Sequence, residues 1–565
     1  MRYLPVLCLS LRPTLATSHS HSAPTATIDA GIVIGKTTSL PAALAPVNQF
    51  LGIPFAQSPP ERFSPPQDAP YFVHPLQATK WKPACIQQFK YPRVNYDFTV
   101  RFWNDPPAEE SEDCLYLNVY APSTPSAGDG RAVMFWIFGG SLQFGHAGQE
   151  LYDGTSFAAY EEVVVVTANY RTNVFGFPGS PEIPVTERNL GFLDQRFALE
   201  WVQQNINAFG GDPSKVTIFG ESAGSLSIDA HLTSYSNDSS PPFRAAILQS
   251  GQYVYRSTEN VDSTIAWYNI STQLGCPGSY TSNLTCIRAA NASTIQNIIS
   301  TNTLISGYIA DNVTLFENAA QRRLSGNVAR IPVLGGTNAQ EGRLFTVNQT
   351  NLTTYLTNTF EKRFPELIPL VREAYPLVDD SNASQYDVIA QIYNDLVFQC
   401  PQALWANATA SIGIPTWRYY FNASFYNTQK YPNLGAFHAS EIPLVFGTYE
   451  KGNSTTQQYA LARYLQSTWA RFAKNPYAGS GWNALGIGIE GRVLEGAYGV
   501  VSGGVLYTGN GSAAKGDWNL GVIGDVGGVR GSGVTVLPQR DFDAKCELFM
   551  PMYESIVGKD GMPPM

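Results

Sequence analysis

Apolar positions follow two patterns along this chain. Residues 25–35, 47–52 and 115–120 alternate in short stretches and read as antiparallel strands with one face turned to water. A proline-rich crossing, residues 54–70, separates the second stretch from the third and is too broken for a helix or a central strand. From Val133 onward the pattern changes. Residues 133–138, 163–166, 216–219, 245–248, 331–334 and 417–421 are nearly continuous apolar runs. A strand is apolar throughout only when both faces are buried, as in a parallel sheet covered by helices. Helical periodicity between the runs supplies the cover, for example over 195–206 and over 459–474, where Leu461, Leu465, Trp469 and Phe472 share one side. The predicted fold class is therefore α/β. Residues 291–427 read as helical excursions and loops forming a wall above the sheet. The glycine-rich segment 496–533 has no strict repeat, and its apolar pairs Val500-Val501 and Val505-Leu506 favour short strands.

Composition then narrows the class. By size alone, 565 residues would make about two to four domains. The net charge is -9 and no basic run exceeds Arg322-Arg323, which argues against nucleic acid or an anionic membrane as partner. Charged residues make up 14% of the chain, against about 25% in average proteins, so uncharged polar groups must cover the surface. Some of them sit in Asn-Xaa-Ser/Thr sequons, at Asn237, Asn269, Asn283, Asn291, Asn312, Asn348, Asn351, Asn382, Asn407, Asn422, Asn453 and Asn510. That density predicts a secreted glycoprotein carrying N-glycans. Residues 1–22 read as a signal peptide: Arg2, an apolar segment over 3–11 cut short by Arg12 and Pro13, then small residues over 16–20. No later apolar run approaches membrane-spanning length, and the charged tail over 554–560 is no anchor signal.

Cys8 falls in the leader, leaving six cysteines. Local pairing favours Cys85 with Cys114 and Cys276 with Cys286, which leaves Cys400 for Cys546, although six cysteines allow about fifteen connectivities. With no Cys-Xaa-Xaa-Cys pair and no histidine cluster, neither a metal nor a cofactor is expected.

The chemistry centres on residues 216–225, an apolar strand running through Gly220-Glu-Ser222-Ala-Gly224 into a helical stretch. A serine hydroxyl becomes a nucleophile when a base takes its proton and a sharp strand-to-helix turn presents it, with glycines where the two backbones approach. Ser222 is the candidate nucleophile. Sheet enzymes with such an elbow supply partners in the order serine, acid, histidine. Of the six histidines, His19 and His21 lie in the leader, His74 and His146 precede the elbow, and His231 sits more than two helical turns beyond Ser222. His438 is left as the base. The acid is Glu341, in the loop that follows the run 331–334, because α/β sites form at the carboxyl ends of strands. Gly139-Gly140-Ser141-Leu142 follows the run 133–138. Backbone N–H groups of Gly140 and Ser141, with that of Ala223, are the candidate oxyanion donors, and one such donor is worth about 3 to 4 kcal/mol.

These residues are the ground for a resemblance. Phe209 to Gly224, the stretch Ser111-Glu-Asp-Cys-Leu-Tyr-Leu-Asn-Val119, and Val47 to Pro54 resemble the type B carboxylesterases and lipases, the group that includes cholinesterases and secreted fungal lipases. The likeness runs on to Cys546. It implies one α/β-hydrolase domain over 23–565 with a mixed, mostly parallel central sheet flanked by helices. It also implies the roles named above for Ser222, Glu341, His438, Gly140, Ser141 and Ala223, the three disulfides, and Ser250 as a serine beside the triad. The implied activity is hydrolysis of small-molecule or lipid carboxylic esters through an acyl-serine. A triacylglycerol lipase with a mobile lid and an acyl-transfer or lactonising enzyme use the same machinery. A non-enzymatic adhesion protein of this fold would typically lack the serine. One departure is that the family shows three glycines and an aromatic where this chain has Gly139-Gly140-Ser141-Leu142, so the Cβ and hydroxyl of Ser141 are expected to narrow the substrate pocket, to which Leu142 is also assigned. Trp103 resembles the cholinesterase tryptophan that faces a quaternary ammonium. With Glu221 it would hold a cation, whereas in fungal lipases the same loop is an apolar lid.

Overall fold

The continuous apolar runs become the interior of one eleven-stranded sheet. In this computed structural model residues 23–89, 93–124, 128–255, 262–277, 283–379, 381–485, 498–501, 505–508 and 518–563 are described, so the leader lies outside the described residues. In chain order the strands are β1 (Lys36–Thr38), β2 (Val47–Pro54), β3 (Tyr116–Pro122), β4 (Arg131–Ile137), β5 (Val164–Ala168), β6 (Gly211–Glu221), β7 (Ala245–Gln249), β8 (Val333–Asn338), β9 (Thr416–Asn422), β10 (Asn519–Gly524) and β11 (Val534–Pro538). Their spatial order is β11-β10-β9-β8-β7-β6-β4-β5-β3-β2-β1. Pairing is parallel from β10 through β5 and antiparallel at both margins. Every residue of β5, β7 and β8 is buried, as a two-sided cover requires. The edge strand β1 is largely exposed and carries Lys36, a charge that discourages further pairing.

Three helices show how the cover is fixed. Leu190–Asn205 and Ala223–Ser234 bury apolar faces. Thr456–Lys474 buries Leu461, Leu465, Trp469 and Phe472, and its Trp469 Nε1–H donates to Gln249 Oε1 of β7 at 3.0 Å. The Thr455 hydroxyl caps that helix by accepting from the N–H of Gln458.

Several expectations shift. The stretch 25–35 is two strands: Thr25–Ile28 turns at Asp29-Ala30, where Asp29 Oδ1 accepts from the N–H of Ala30 at 2.7 Å, and pairs with Gly31–Ile34 outside the main sheet. Within 291–427 the helices and loops run between strands and include β8 and β9, but the helix Cys400–Ser411 packs directly on both strands, with Trp405 buried. In the glycine-rich segment Tyr498–Val501 pairs antiparallel with Val505–Thr508, and β10 and β11 close the main sheet. Disulfides join Cys85 to Cys114, Cys276 to Cys286 and Cys400 to Cys546. Of the sequon asparagines, Asn283 and Asn407 are buried, which leaves no room for a glycan on either in the folded chain. Among the described residues no helix is long and apolar enough to cross a membrane.

Candidate active site

β6 ends at Glu221, and the next residue is bent back on itself: Ser222 has φ 56° and ψ -120° and caps the helix Ala223–Ser234. A non-glycine residue held there costs on the order of 1–3 kcal/mol, so the surroundings must enforce it. They do so from two sides. The Ser222 N–H donates to the carbonyl of Gln249 at 2.9 Å, tying the elbow to β7. On the other side β4 runs so close that a Cβ on Gly224 would lie 1.9 Å from the Ile137 oxygen, and one on Gly220 2.6 Å from it. Both glycines are thus required by the neighbouring strand as well as by the turn.

Glu341 follows β8, and His438 lies in the long connection after β9, so both reach the carboxyl edge that carries Ser222. His438 Nδ1 lies 2.6 Å from Glu341 Oε2, and both side chains are buried. The other oxygen of Glu341 accepts from the Ser250 hydroxyl at 2.5 Å and from the Asn338 N–H at 2.6 Å. With Oε1 and Oε2 both engaged, the carboxylate has a fixed orientation and fixes the imidazole in turn. His438 and Ser222 line one small cavity together with Gly139, Gly140, Ser141, Glu221, Trp103 and Phe345.

Two further carboxylates crowd this histidine. Glu221 Oε1 is 3.0 Å from His438 Nε2. Burial, reinforced by Glu441 and Glu341 and opposed by His438, pushes the Glu221 carboxyl up to about 8. Burial draws the His438 imidazole down, yet the anions Glu221, Glu341 and Glu441 outweigh it and raise the group to about 9. Glu441, also fully buried, is raised to about 7 by burial and by Glu341, while its oxygens accept from Gln249 Nε2 at 2.9 Å and Asn338 Nδ2 at 2.6 Å. Glu441 escaped the sequence analysis although it ends the stretch 435–441 that carries His438. Its carboxylate spacing from the histidine is set by the fold, and a lone glutamate in a loop carries no signal of that.

The turn after β4 is left-handed at three successive residues, Gly140 (φ 107°), Ser141 (φ 57°) and Leu142 (φ 60°). Only the first tolerates this at no cost. The Gly140 carbonyl accepts from the N–H groups of Gln143 and Phe144, and the Leu142 carbonyl accepts from that of Asn173 at 2.7 Å. The N–H groups of Gly140 and Ser141 donate to no described protein group, Gly139 packs against Ser222, and Gly140 and Ser141 line the same cavity as the serine. The Ala223 N–H is the first of the donors that the helix leaves unpaired.

Two pocket expectations need correction. Leu142 does not line the cavity; it is buried in the main core. Ser141 does line it, exposed at the rim. Glu221 directs an oxygen at His438, and a carboxyl raised to about 8 is a weak partner for a bound cation at neutral pH. Trp103 ends the helix Arg93–Trp103 and packs against Phe102 and the His438 ring, with centroids 6.2 and 6.4 Å apart. The cavity around Ser222 measures only about 40 Å³, and a second of about 520 Å³ shares Trp103 and Gln149 with it.

A mixed, mostly parallel sheet with a strained serine at the end of a central strand is the α/β-hydrolase fold, and its comparison with known proteins agrees. The model of the carboxylesterase family matches residues 22–483, and the chain belongs to that family. It is 31% identical over 496 residues to carboxylesterase 1C of Rattus norvegicus, covering 83% of this chain and 89% of that one. It is 32% identical over 479 residues to secreted lipase 1 of Botryotinia fuckeliana, covering 75% and 81%. Among solved structures a PNB esterase superposes with a TM-score of 0.70 at 28% identity, over 94% of this chain and all of that one.

Proposed function

We propose that the protein is a secreted serine hydrolase, a single α/β-hydrolase domain over 23–565, that cleaves carboxylic esters through an acyl-serine. His438 Nε2 takes the proton of the Ser222 hydroxyl as Oγ bonds to the ester carbonyl carbon, and the π electrons move onto the carbonyl oxygen. Backbone N–H groups of Gly140, Ser141 and Ala223 hold that oxyanion. The oxyanion collapses, the C–O bond to the alcohol breaks, and His438 returns its proton to the departing alkoxide. Water repeats the sequence on the acyl-serine and releases the acid. Glu341 keeps the proton-bearing Nδ1 in place and stabilises the imidazolium that forms. The observation that carries this reading is the 2.6 Å contact of Glu341 with a histidine that lines the same cavity as the strained Ser222. Ser222→Ala should lower p-nitrophenyl acetate turnover by at least about 10³-fold and abolish labelling by a fluorophosphonate. Retained turnover in that variant overturns the reading.

One observation favours the lipase form of this activity. A cavity of about 40 Å³ admits no ester; Trp103, which lines it, ends the helix Arg93–Trp103 inside the Cys85–Cys114 loop, and that helix packs Phe98, Phe102 and Trp103 with Leu344, Leu434 and Phe437. Displacement of that helix opens the site, which makes Trp103 lid packing rather than a cation site. Activity that jumps when a long-chain ester passes its solubility limit supports the lid; a smooth saturation curve excludes it.

A further inference from the structure

The helix that carries Cys400 of the Cys400–Cys546 disulfide is interrupted beside the site. Asn382–Asn394 leads into a π-helical turn, Asp395–Gln399, which leads into Cys400–Ser411. A π turn brings residues five apart onto one face, whereas at 3.6 residues per turn an α-helix would set them about 140° apart. Two such pairs span this turn. Tyr393 and Phe398 both stack on Phe345, with centroids 5.3 and 5.6 Å from it, and Phe398 and Phe345 lie 4.8 and 4.9 Å from the His438 ring. Asn394 and Gln399 both reach the chain around β8: Asn394 Oδ1 accepts from the Glu341 N–H at 2.9 Å, and the Thr337 hydroxyl donates to Gln399 Oε1 at 2.7 Å. Asn394 is itself held, since its Nδ2 donates to Asp395 Oδ1 at 3.1 Å, while Asp395 Oδ2 accepts from the Tyr375 hydroxyl at 2.7 Å.

From this geometry we infer that the π turn is the positioning device of the acid and the histidine: Phe398 fixes the plane of the His438 imidazole, and Asn394 fixes the backbone of Glu341. The inference rests on the acyl-serine reading above. A 2.6 Å contact between Nδ1 and a carboxylate needs the ring held to within roughly 10–20°, and Glu341 grips one edge only. Phe345 and Phe398 pack on the imidazole at interplanar angles of 61° and 43°, and Phe398 is the one that the π turn delivers. At Glu341 the carboxylate is already engaged by Ser250, Asn338 and His438, so Asn394 adds an anchor on the main chain from the opposite side. Neither residue touches a reacting atom.

The test uses the full-length protein with Phe398→Leu, Phe398→Ala and Asn394→Ala, each checked for an unchanged melting transition. Residues that orient a reacting group without touching the substrate are worth about 10- to 100-fold. Expected are a drop in kcat of about that size with KM within twofold, and weakening or loss of the far-downfield proton resonance of His438 Nδ1–H that the 2.6 Å contact predicts for the parent. Phe398→Tyr, which keeps the ring, should retain both. Folded Phe398→Ala and Asn394→Ala proteins with parental kcat and an unshifted resonance overturn the inference. If Phe398→Ala fails to fold, Phe398→Leu decides by the same two readouts. Ser222→Ala separates the two claims: turnover surviving in it defeats the acyl-serine reading, whereas the resonance, which needs no Ser222 oxygen, still reports on Phe398 and Asn394.

Discussion

Glu221 next to His438 makes a pH dependence that distinguishes this site from an ordinary serine–histidine pair. Both groups are raised, to about 8 and about 9, so the imidazole keeps its proton to higher pH than an ordinary histidine, and Nε2 accepts from Ser222 only once that proton has left. The competent base appears as that proton leaves, and kcat/KM should rise with pH along a limb centred between about 8 and 9. Replacing Glu221 by Gln removes one of the three anions that hold the proton on the ring, so the limb must move to lower pH. At the observed 3.0 Å, a unit charge is worth ~1.4 kcal/mol in a water-like dielectric and ~5.5 kcal/mol at an effective dielectric of 20. These limits correspond to roughly one and four pH units. The whole rise of His438 from 6.5 to about 9 is shared with Glu341 and Glu441 against the opposing burial. Glu221 is charged only above its own raised value. The expected displacement is therefore about one to two pH units. The assay is kcat/KM for p-nitrophenyl acetate from pH 5 to 10 in parent and Glu221→Gln, corrected for spontaneous hydrolysis. A limb that stays in place or moves upward in the variant refutes the coupling.

Two further outcomes follow from specific contacts. Ser250→Ala removes one of the two donors on Glu341 Oε1, a bond to a charged group worth about 1.5–3 kcal/mol, and should lower kcat about tenfold while leaving KM nearly unchanged in steady-state assays. The disulfides should rank by loop length, because a cross-link acts largely on the unfolded chain. Losing Cys400–Cys546, which spans 146 residues, should cost about 5 kcal/mol in denaturant melts, and losing Cys276–Cys286, which spans 10, about 3 kcal/mol. Equal losses would show that native strain or residual structure dominates.

The sequence by itself determined the parts whose chemistry is local. Unbroken apolar runs such as 163–166 and 245–248 required burial on both faces, and so a covered parallel sheet. The elbow glycines announced themselves because a tight turn has few acceptable residues, and elimination among six histidines needed no coordinates. Tertiary structure decided what depends on residues distant in the chain. Nothing near Glu221 in sequence reveals that it sets a carboxylate against His438, since β6 and the 423–441 connection meet only across the sheet. Leu142 sits in the core rather than in the pocket, within a turn left-handed at three successive residues, a backbone choice that composition does not encode. The π turn at Asp395–Gln399 is likewise silent in the apolar pattern: its register is imposed by the contacts of Phe398 and Asn394 with residues 40 and more than 50 positions away. Periodicity reports which face of an element is buried, while the partner across that face is settled only when the sheet brings separate strand ends to one edge.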